Sequence, residues 1–383
     1  MSYSVAIIGT GANPESRDRT GFSMGYRHAS GYRRLDSCEL VACADIVPES
    51  ARTFAEHFDL EHWYDDHTEL LQEVDPDIVS ICVPPDIHAD LVIDCAELGN
   101  LDAIHCEKPM ASTWGDCQEM VDACERQSVQ LTINHQRRFA LPVQLAKQHL
   151  DNGEIGSLKR LEWSEANLFD AGSHLFDLCD YFTDGATPTW ALAAVDIDPD
   201  NRWFGVVNDA QGIATWGYND GTVGLAATNE TDEPSVVDAY LRIVGESGII
   251  EVEPNDGPSL RIDTGDGWRP IDTGGESVYR PAQSKARMAT NMVLDAIPRV
   301  SYELSGNPSH YDRAIAHLVA SLDAGVEPTI SARRVMRGTE LIFACYESAR
   351  SRGRVDLPLT IADNPLDSMI EENESRMVQD IVQ

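Results

Sequence analysis

Between residues 4 and 134 the chain alternates short, mostly apolar runs with helical stretches, and few folds accept that alternation. The runs at 4–9, 40–44, 78–83, 101–105 and 129–133 have strand length. Helical spacing separates them: Leu91, Val92, Cys95, Ala96 and Leu98 follow one helix, and 113–127 reads as another. A repeated strand–helix–strand unit sets its strands parallel and covers both faces with helices, so residues 1–134 are predicted to form a doubly wound parallel sheet. Near residue 135 the period changes. After a helix to Leu150 and the turn Gly153-Glu154-Ile155-Gly156, strands follow one another through hairpin signals such as Asn219-Asp220-Gly221 and Glu246-Ser247-Gly248. Residues 135–362 are therefore predicted to form an α+β domain on a mainly antiparallel sheet, within an α/β chain, and 363–383 an acidic tail.

Length and charge narrow what such a chain can do. Its 383 residues suit two domains, and 42% hydrophobic residues supply their cores. With 64 acidic against 29 basic residues the net charge is −35, which repels nucleic acid and anionic membrane, so neither is an expected partner. The acids are spread along the sequence, and lysine occurs only at Lys108, Lys147, Lys159 and Lys285. We read that pattern as halophilic adaptation to molar salt, where screening shortens every charge interaction. Nine scattered cysteines without a Cys-x-x-Cys pair fit reduced thiols in a cytoplasm. No stretch reaches the roughly 18 apolar residues of a membrane span. The N-terminus enters a strand without a basic leader. His57, His62 and His67 are spaced so that they do not share a helical face, and no metal site is expected.

The first strand closes on Gly9-Thr10-Gly11. Glycines there let the backbone turn tightly and approach a pyrophosphate, which makes Gly9 and Gly11 candidate dinucleotide contacts. The third glycine of that pattern is displaced. Residues 12–24 read as an insertion carrying Arg17 and Arg19, either a surface loop or a reach toward a phosphate, and Met24-Gly25-Tyr26-Arg27-His28 resumes with a helix. Asp45 ends the second strand, where a carboxylate either accepts from the adenosine ribose hydroxyls or caps the next helix. Ile46 follows in place of an arginine, which favours NAD; NADP is the alternative if Arg52 reaches over from the next helix.

Two further stretches carry chemistry. His105-Cys106-Glu107-Lys108-Pro109 lies at the sheet edge where open α/β sheets bind ligands, and the proline restricts Lys108 to extended backbone. The Lys108 ammonium is a candidate polarising donor. Asp170-Ala171-Gly172-Ser173-His174 opens a predicted helix to Phe182. On a helical wheel Asp170, His174, Asp177 and Tyr181 form one stripe facing a cleft or water, beside an apolar stripe of Leu175, Leu178, Cys179 and Phe182. An aspartate four residues before a histidine can orient the imidazole and stabilise its protonated form, as proton removal from an alcohol requires.

These residues together resemble the Gfo/Idh/MocA family, the glucose-fructose oxidoreductase and inositol dehydrogenase group. The resemblance runs over Gly9-x-Gly11, Gly25 with His28, Asp45, Pro84-Pro85 with His88, Glu107-Lys108-Pro109, Arg138-Phe139, Gly153-x-Ile155-Gly156, Asp170 with His174 and Asp177, and Gly245-x-x-Gly248. Residues 339–357 also look like the family's last helix and strand. The resemblance implies a Rossmann-type N-terminal domain, an open-faced C-terminal sheet, and a homodimer or homotetramer. It implies hydride transfer between NAD(P) and a secondary hydroxyl or ketone of a sugar, inositol or related polyol. Cofactor contacts are implied at Gly25, Pro84, His88 and Glu107 beside Gly9, Gly11 and Asp45, together with a cis Lys108–Pro109 bond. Lys108 is implied to contact the reacting hydroxyl, with Asp170 and His174 binding substrate and handling the proton. The link from Gly156 to Asp170 is shorter than is usual in the family, which leaves the substrate open. A non-catalytic dinucleotide-binding regulator and an NAD-dependent redox-assisted glycosidase are the alternatives.

Overall fold

The computed structural model describes residues 2–13, 23–229, 236–281 and 308–372. Arg17, Arg19 and the end of the acidic tail lie outside them. The chain divides into two compact units, the first drawn from residues 2–111, 116–139 and 308–333, the second from 112–115, 140–281 and 334–372.

In the first unit a six-stranded sheet runs in the order β3-β2-β1-β4-β5-β6, all parallel. Its strands are β1 (Tyr3–Ile8), β2 (Cys38–Ala44), β3 (His62–Tyr64), β4 (Ile78–Ile81), β5 (Ala103–Cys106) and β6 (Gln130–Ile133). Helices α1 (Met24–Tyr32), α2 (Pro48–Phe58), α3 (His67–Val74), α4 (His88–Leu98) and α5 (Trp114–Gln127) connect them. Val5, Ala6 and Ile7 of β1, and Ile78, Val79 and Ile81 of β4, have no exposed surface, as strands covered on both faces require. The order reverses between β1 and β4, so their carboxyl ends form the switch point of the sheet. Strand β3, His62-Trp63-Tyr64, is an edge strand with no apolar run, and nothing in the sequence pattern predicts it.

The second unit is built on nine strands in the order β14-β13-β12-β11-β7-β10-β9-β8-β15. In chain order its elements are α6 (Leu141–Asp151), β7 (Leu158–Glu165), α7 (Ser173–Phe182), β8 (Pro188–Trp203), β9 (Val206–Tyr218), β10 (Val223–Asn229), β11 (Ala239–Gly245), β12 (Ile249–Pro254), β13 (Leu260–Asp263) and β14 (Arg269–Pro270). Helix α8 (His310–Ala324) then returns to the first unit, where Ile315, Leu318 and Val319 join a core with Tyr26, Tyr32 and Phe54. Helix α9 (Ala332–Ser351) and β15 (Val355–Asp356) follow. Every strand pair of this sheet is antiparallel except β7 with β10. Alternation along the strands buries one face, where Trp163 and Trp216 pack on Phe176 of α7 at ring separations of 5.1 and 4.9 Å. The start of the tail, 365–372, is helical, with Leu366 and Ile370 buried.

One expectation changes here. Helix α7 opens at Ser173 with Gly172 as its N-cap, so Asp170 sits in the turn before the helix and not on its wheel. Of the polar stripe, His174 and Asp177 are buried and Asp170 and Tyr181 half-buried; Asp180, outside the stripe, is also buried and pairs with Arg337 from α9 at 2.6 Å.

Candidate functional site

At the carboxyl end of β1 the backbone turns through Gly9 (φ +84°) and Gly11 (φ +64°), a conformation that only glycine adopts easily. A Cβ on Gly9 would fall 2.6 Å from Val83 Cγ1 and 2.7 Å from the Cys82 carbonyl, so the turn can lie against the end of β4 only without a side chain. A Cβ on Gly25 would fall 2.8 Å from the Gly9 carbonyl. Gly25 therefore takes the place of the third glycine, the one that lets the first helix pack close to the turn, despite its distance along the sequence.

Asp45 braces this loop. Its Oδ2 accepts from Thr10 N (2.9 Å), Thr10 Oγ1 (2.9 Å) and Gly11 N (3.0 Å), while Oδ1 accepts from Val47 N (2.9 Å). It does not cap α2, whose N-cap is Val47 with no side-chain bond. Arg52 is held by Glu49 and Glu56, each at 2.7 Å, so its guanidinium is engaged along its own helix. Among the described residues the nearest atom to a Cβ added at Gly11 is Ser23 Cα at 3.7 Å, and a dinucleotide phosphate needs backbone that it can approach so closely.

The ends of β4 and β5 carry the second part. Pro84 is exposed after β4, and the Lys108–Pro109 peptide is cis. The buried ring of His88 ties the two ends together, with Nε2 2.9 Å from the Val83 carbonyl and Nδ1 2.9 Å from the Pro109 carbonyl. Burial pushes its pKa down against the pull of those carbonyls. Below Lys108 lies a buried polar network. Glu107 Oε1 accepts from Asn134 Nδ2 at 2.7 Å and meets His28 Nε2 at 2.8 Å, and Oε2 accepts the Lys108 backbone N–H at 3.2 Å. His28 Nδ1 meets Ser80 Oγ at 2.7 Å, and His105 Nδ1 meets Thr132 Oγ1 at 2.9 Å. Burial alone would raise the Glu107 pKa, but the bonds and charge of His28, with Asn134 and Lys108, outweigh it and hold the carboxylate at about 2. Burial and the neighbouring His28 push His105 down to about 3.

His28 enters the sequence pattern without a role, and Ser80, Asn134 and Thr132 are missed altogether. A signal was available. Ser80 and His105 interrupt strands that are otherwise apolar, and a buried polar group in such a strand demands a partner.

In the second unit the segment that carries Asp170 leads directly into the first turn of α7, where His174 is buried. Asp170 N–H donates to Asn208 Oδ1 at 3.1 Å, and Ser173 Oγ donates back to the Asp170 carbonyl at 2.9 Å. Gly9, Gly11, Gly25, Asp45, Pro84, His88, Glu107 and Lys108 thus gather at the carboxyl ends of adjacent strands in one unit, and Asp170 with His174 at the opening of α7 in the other. Among the described residues no three His, Cys, Asp or Glu side chains are grouped to hold a metal ion, and no helix is long and apolar enough to cross a membrane.

A parallel sheet with a glycine turn at its switch point and an acid after the second strand defines a dinucleotide-binding fold. Residues 3–135 match the Gfo/Idh/MocA oxidoreductase family's NAD-binding Rossmann fold, and 147–357 match its C-terminal alpha/beta domain. The chain belongs to that family and is an NAD-binding oxidoreductase. It is 25% identical over 374 residues to the D-apiose dehydrogenase of Paraburkholderia graminis, spanning 90% of this chain and 89% of that protein. To the myo-inositol 2-dehydrogenase of Thermotoga maritima it is 29% identical over 133 residues, 35% of this chain and 39% of that one. An oxidoreductase from Agrobacterium radiobacter, solved with NAD+, L-tartaric acid and magnesium, shares the fold at a TM-score of 0.71 and 18% identity, covering 93% of this chain and 98% of that chain.

Proposed function

We propose that this protein transfers a hydride between NAD and a secondary hydroxyl or ketone of a sugar, inositol or related polyol, with Lys108, Asp170 and His174 as catalytic residues. The observation that carries the reading is the setting of Lys108. Its side chain leaves the carboxyl edge of the sheet from backbone fixed on both sides, by Glu107 at its own N–H and by His88 at the Pro109 carbonyl. An ammonium placed that way donates to the reacting oxygen and stabilises charge as it develops there. His174 takes the hydroxyl proton, and Asp170 binds the substrate beside it. NAD, when bound, supplies the hydride acceptor. Gly9, Gly11 and Gly25 admit its pyrophosphate and Asp45 sets the loop. The engaged Arg52 and Ile46 after Asp45 support NAD over NADP. The dehydrogenases named above, acting on apiose and on inositol, support the substrate class.

Lys108→Ala and His174→Ala should each lower turnover on a responsive polyol by about 10²-fold or more while NAD still binds. Retained turnover in both would overturn the assignment. NAD binding with no turnover on any polyol would select the regulator instead, and aglycone release without net NADH the redox-assisted glycosidase. We also propose that the protein works as a homodimer or homotetramer in a salt-rich cytoplasm. Supporting this, Leu192 and Ile213 are exposed on the sheet face opposite Trp163 and Trp216, and the charge is −35. A monomeric mass by light scattering in molar KCl would refute the assembly.

A further inference from the structure

We infer that Asp209 is a positioning residue that sets the Asp170–His174 segment; this rests on the reading of Asp170 and His174 given above. Asp209 lies on β9 with no exposed surface. Its Oδ1 accepts from Leu168 N at 2.8 Å and from the Tyr346 hydroxyl at 2.7 Å, and its Oδ2 from the Thr228 hydroxyl at 2.6 Å. No lysine, arginine or histidine is among its contacts in the described residues. Burying a carboxylate without a cation is costly, and burial raises its pKa against those three donors. An apolar side chain would fill the space more cheaply, so packing does not explain the residue.

What the carboxylate does is join four elements at one point: the segment after β7 through Leu168, β9 itself, β10 through Thr228 and α9 through Tyr346. Its neighbour acts on the same segment. Asn208 Oδ1 accepts the Asp170 N–H at 3.1 Å. Successive residues of a regular strand point to opposite faces, yet Asn208 and Asp209 hold one segment two residues apart. The strand is irregular there: Asp209 pairs with Ile197, Val207 pairs with Arg202, and the register shifts between them. Such bulges re-aim side chains. Asn201 Nδ2 occupies the distortion, donating to the Asn208 and Asp209 carbonyls at 3.3 and 3.1 Å.

The held segment has little freedom of its own. It folds back so tightly that a Cβ on Gly172 would lie 2.5 Å from the Leu168 carbonyl, and Ser173 N donates to Phe169 O at 3.1 Å. A shift at Leu168 is therefore transmitted to Asp170 and to the first turn of α7 that carries His174.

The test is a double-mutant cycle on the full chain with NAD and a responsive polyol. Asp209→Ala should lower kcat about 10- to 100-fold, as misplacement of a catalytic group by about 1 Å does. The NAD dissociation constant should stay unchanged. Asp209→Asn should restore kcat to within about 3-fold, since its oxygen still accepts from Leu168 and Tyr346 and its amide can donate to Thr228. In an Asp170→Ala background, Asp209→Ala should cost several-fold less than in the parent, since only the share acting through His174 remains. Tyr346→Phe, which removes one donor and keeps the packing, should lower kcat in the same direction and serves if Asp209→Ala does not fold. The full factor recurring in a crippled Asp170→Ala enzyme, or wild-type kcat in a folded Asp209→Ala enzyme, overturns the inference. Wild-type turnover in Asp170→Ala alone overturns the underlying reading of the site.

Discussion

Glu107→Gln tests the buried network with the least change of shape, since glutamine keeps the size and loses the charge and one acceptor. In the native arrangement both oxygens accept: Oε1 from Asn134 and His28, Oε2 from the Lys108 backbone. An amide offers one oxygen and one NH₂. With the oxygen toward His28 and Asn134, the NH₂ meets the Lys108 N–H, donor against donor. Turned over, it meets the Asn134 amide and the His28 nitrogen. His28 can then accept only with Nε2 bare and its proton on Nδ1, which faces Ser80 Oγ at 2.7 Å. Ser80 would have to send its own hydrogen to the His105 carbonyl at 3.5 Å, beyond a good O–H···O bond. Either orientation strands at least one buried donor, at about 1–3 kcal/mol, and the loss of charge-assisted bonds brings the total to about 3 kcal/mol. For a unit of this size that lowers the melting temperature by about 6–12 °C. Thermal melts in molar KCl, read with and without NAD, measure it. A Glu107→Gln protein melting within about 2 °C of the parent would refute the reasoning.

Asp45→Asn should weaken NAD by about 10- to 100-fold in a calorimetric titration, because with its oxygen on Thr10 and Gly11 the amide NH₂ faces the Val47 N–H, donor against donor, and turned over it faces both loop amides instead; an unchanged dissociation constant would show that the loop holds itself. His105 and His310 are both pushed from an ordinary 6.5 to about 3, by burial first and then by His28 and Arg313 respectively. Their folded-state values are depressed, so the unfolded chain takes up protons first, and stability is lost as pH falls from 6.5 toward 3 by about 1.4 kcal/mol per pH unit for each. Glu107 adds loss of the same sign between 4.5 and about 2. His310→Gln should therefore flatten the unfolding free energy against pH between 4.5 and 6.5, and parallel curves for variant and parent would contradict a buried neutral His310. A net charge of −35 predicts a melting temperature that rises from about 0.2 to about 2 M KCl, and a flat profile would remove the salt adaptation.

The first sheet is legible because buried parallel strands must be apolar on both faces, and five of its six strands announce themselves as apolar runs. Strand β3 does not, since three residues at an edge need no such run. Helix α8 shows an apolar stripe, but a stripe does not say which sheet it covers, and Ile315 packs against Tyr26 and Tyr32 from the other end of the chain. Position counting also misleads at Gly25. The third glycine is defined by contact with the Gly9 carbonyl, and an insertion can lengthen the path without moving the contact. At α7 the wheel assumes a helix through Gly172, whereas the chain turns back on Leu168 there and begins its helix one residue later. The wheel turns its polar stripe to a cleft or water, and Asp180 lies outside that stripe. Arg337, far along the chain, supplies the partner that lets Asp180 be buried, and no local pattern contains it.

The same limit explains why the support of Lys108 is hidden in the sequence and ordered in the fold. Ser80, His105 and Thr132 are register partners across β4, β5 and β6, so one polar row crosses three adjacent strands at a single level. Two residues further along, Glu107 and Asn134 stand one step nearer the carboxyl edge, joined at 2.7 Å. His28, from α1, bridges the two levels by meeting Ser80 with one ring nitrogen and Glu107 with the other. Each of these groups would be unfavourable alone in a buried strand, and together they partner one another at every polar side-chain atom but His105 Nε2 and Asn134 Oδ1. The helix that starts at the glycine loop is thereby tied to the backbone of Lys108 through a single imidazole. Cofactor loop and candidate catalytic lysine belong to one hydrogen-bonded frame, in which a change at the loop is felt at the lysine through His28.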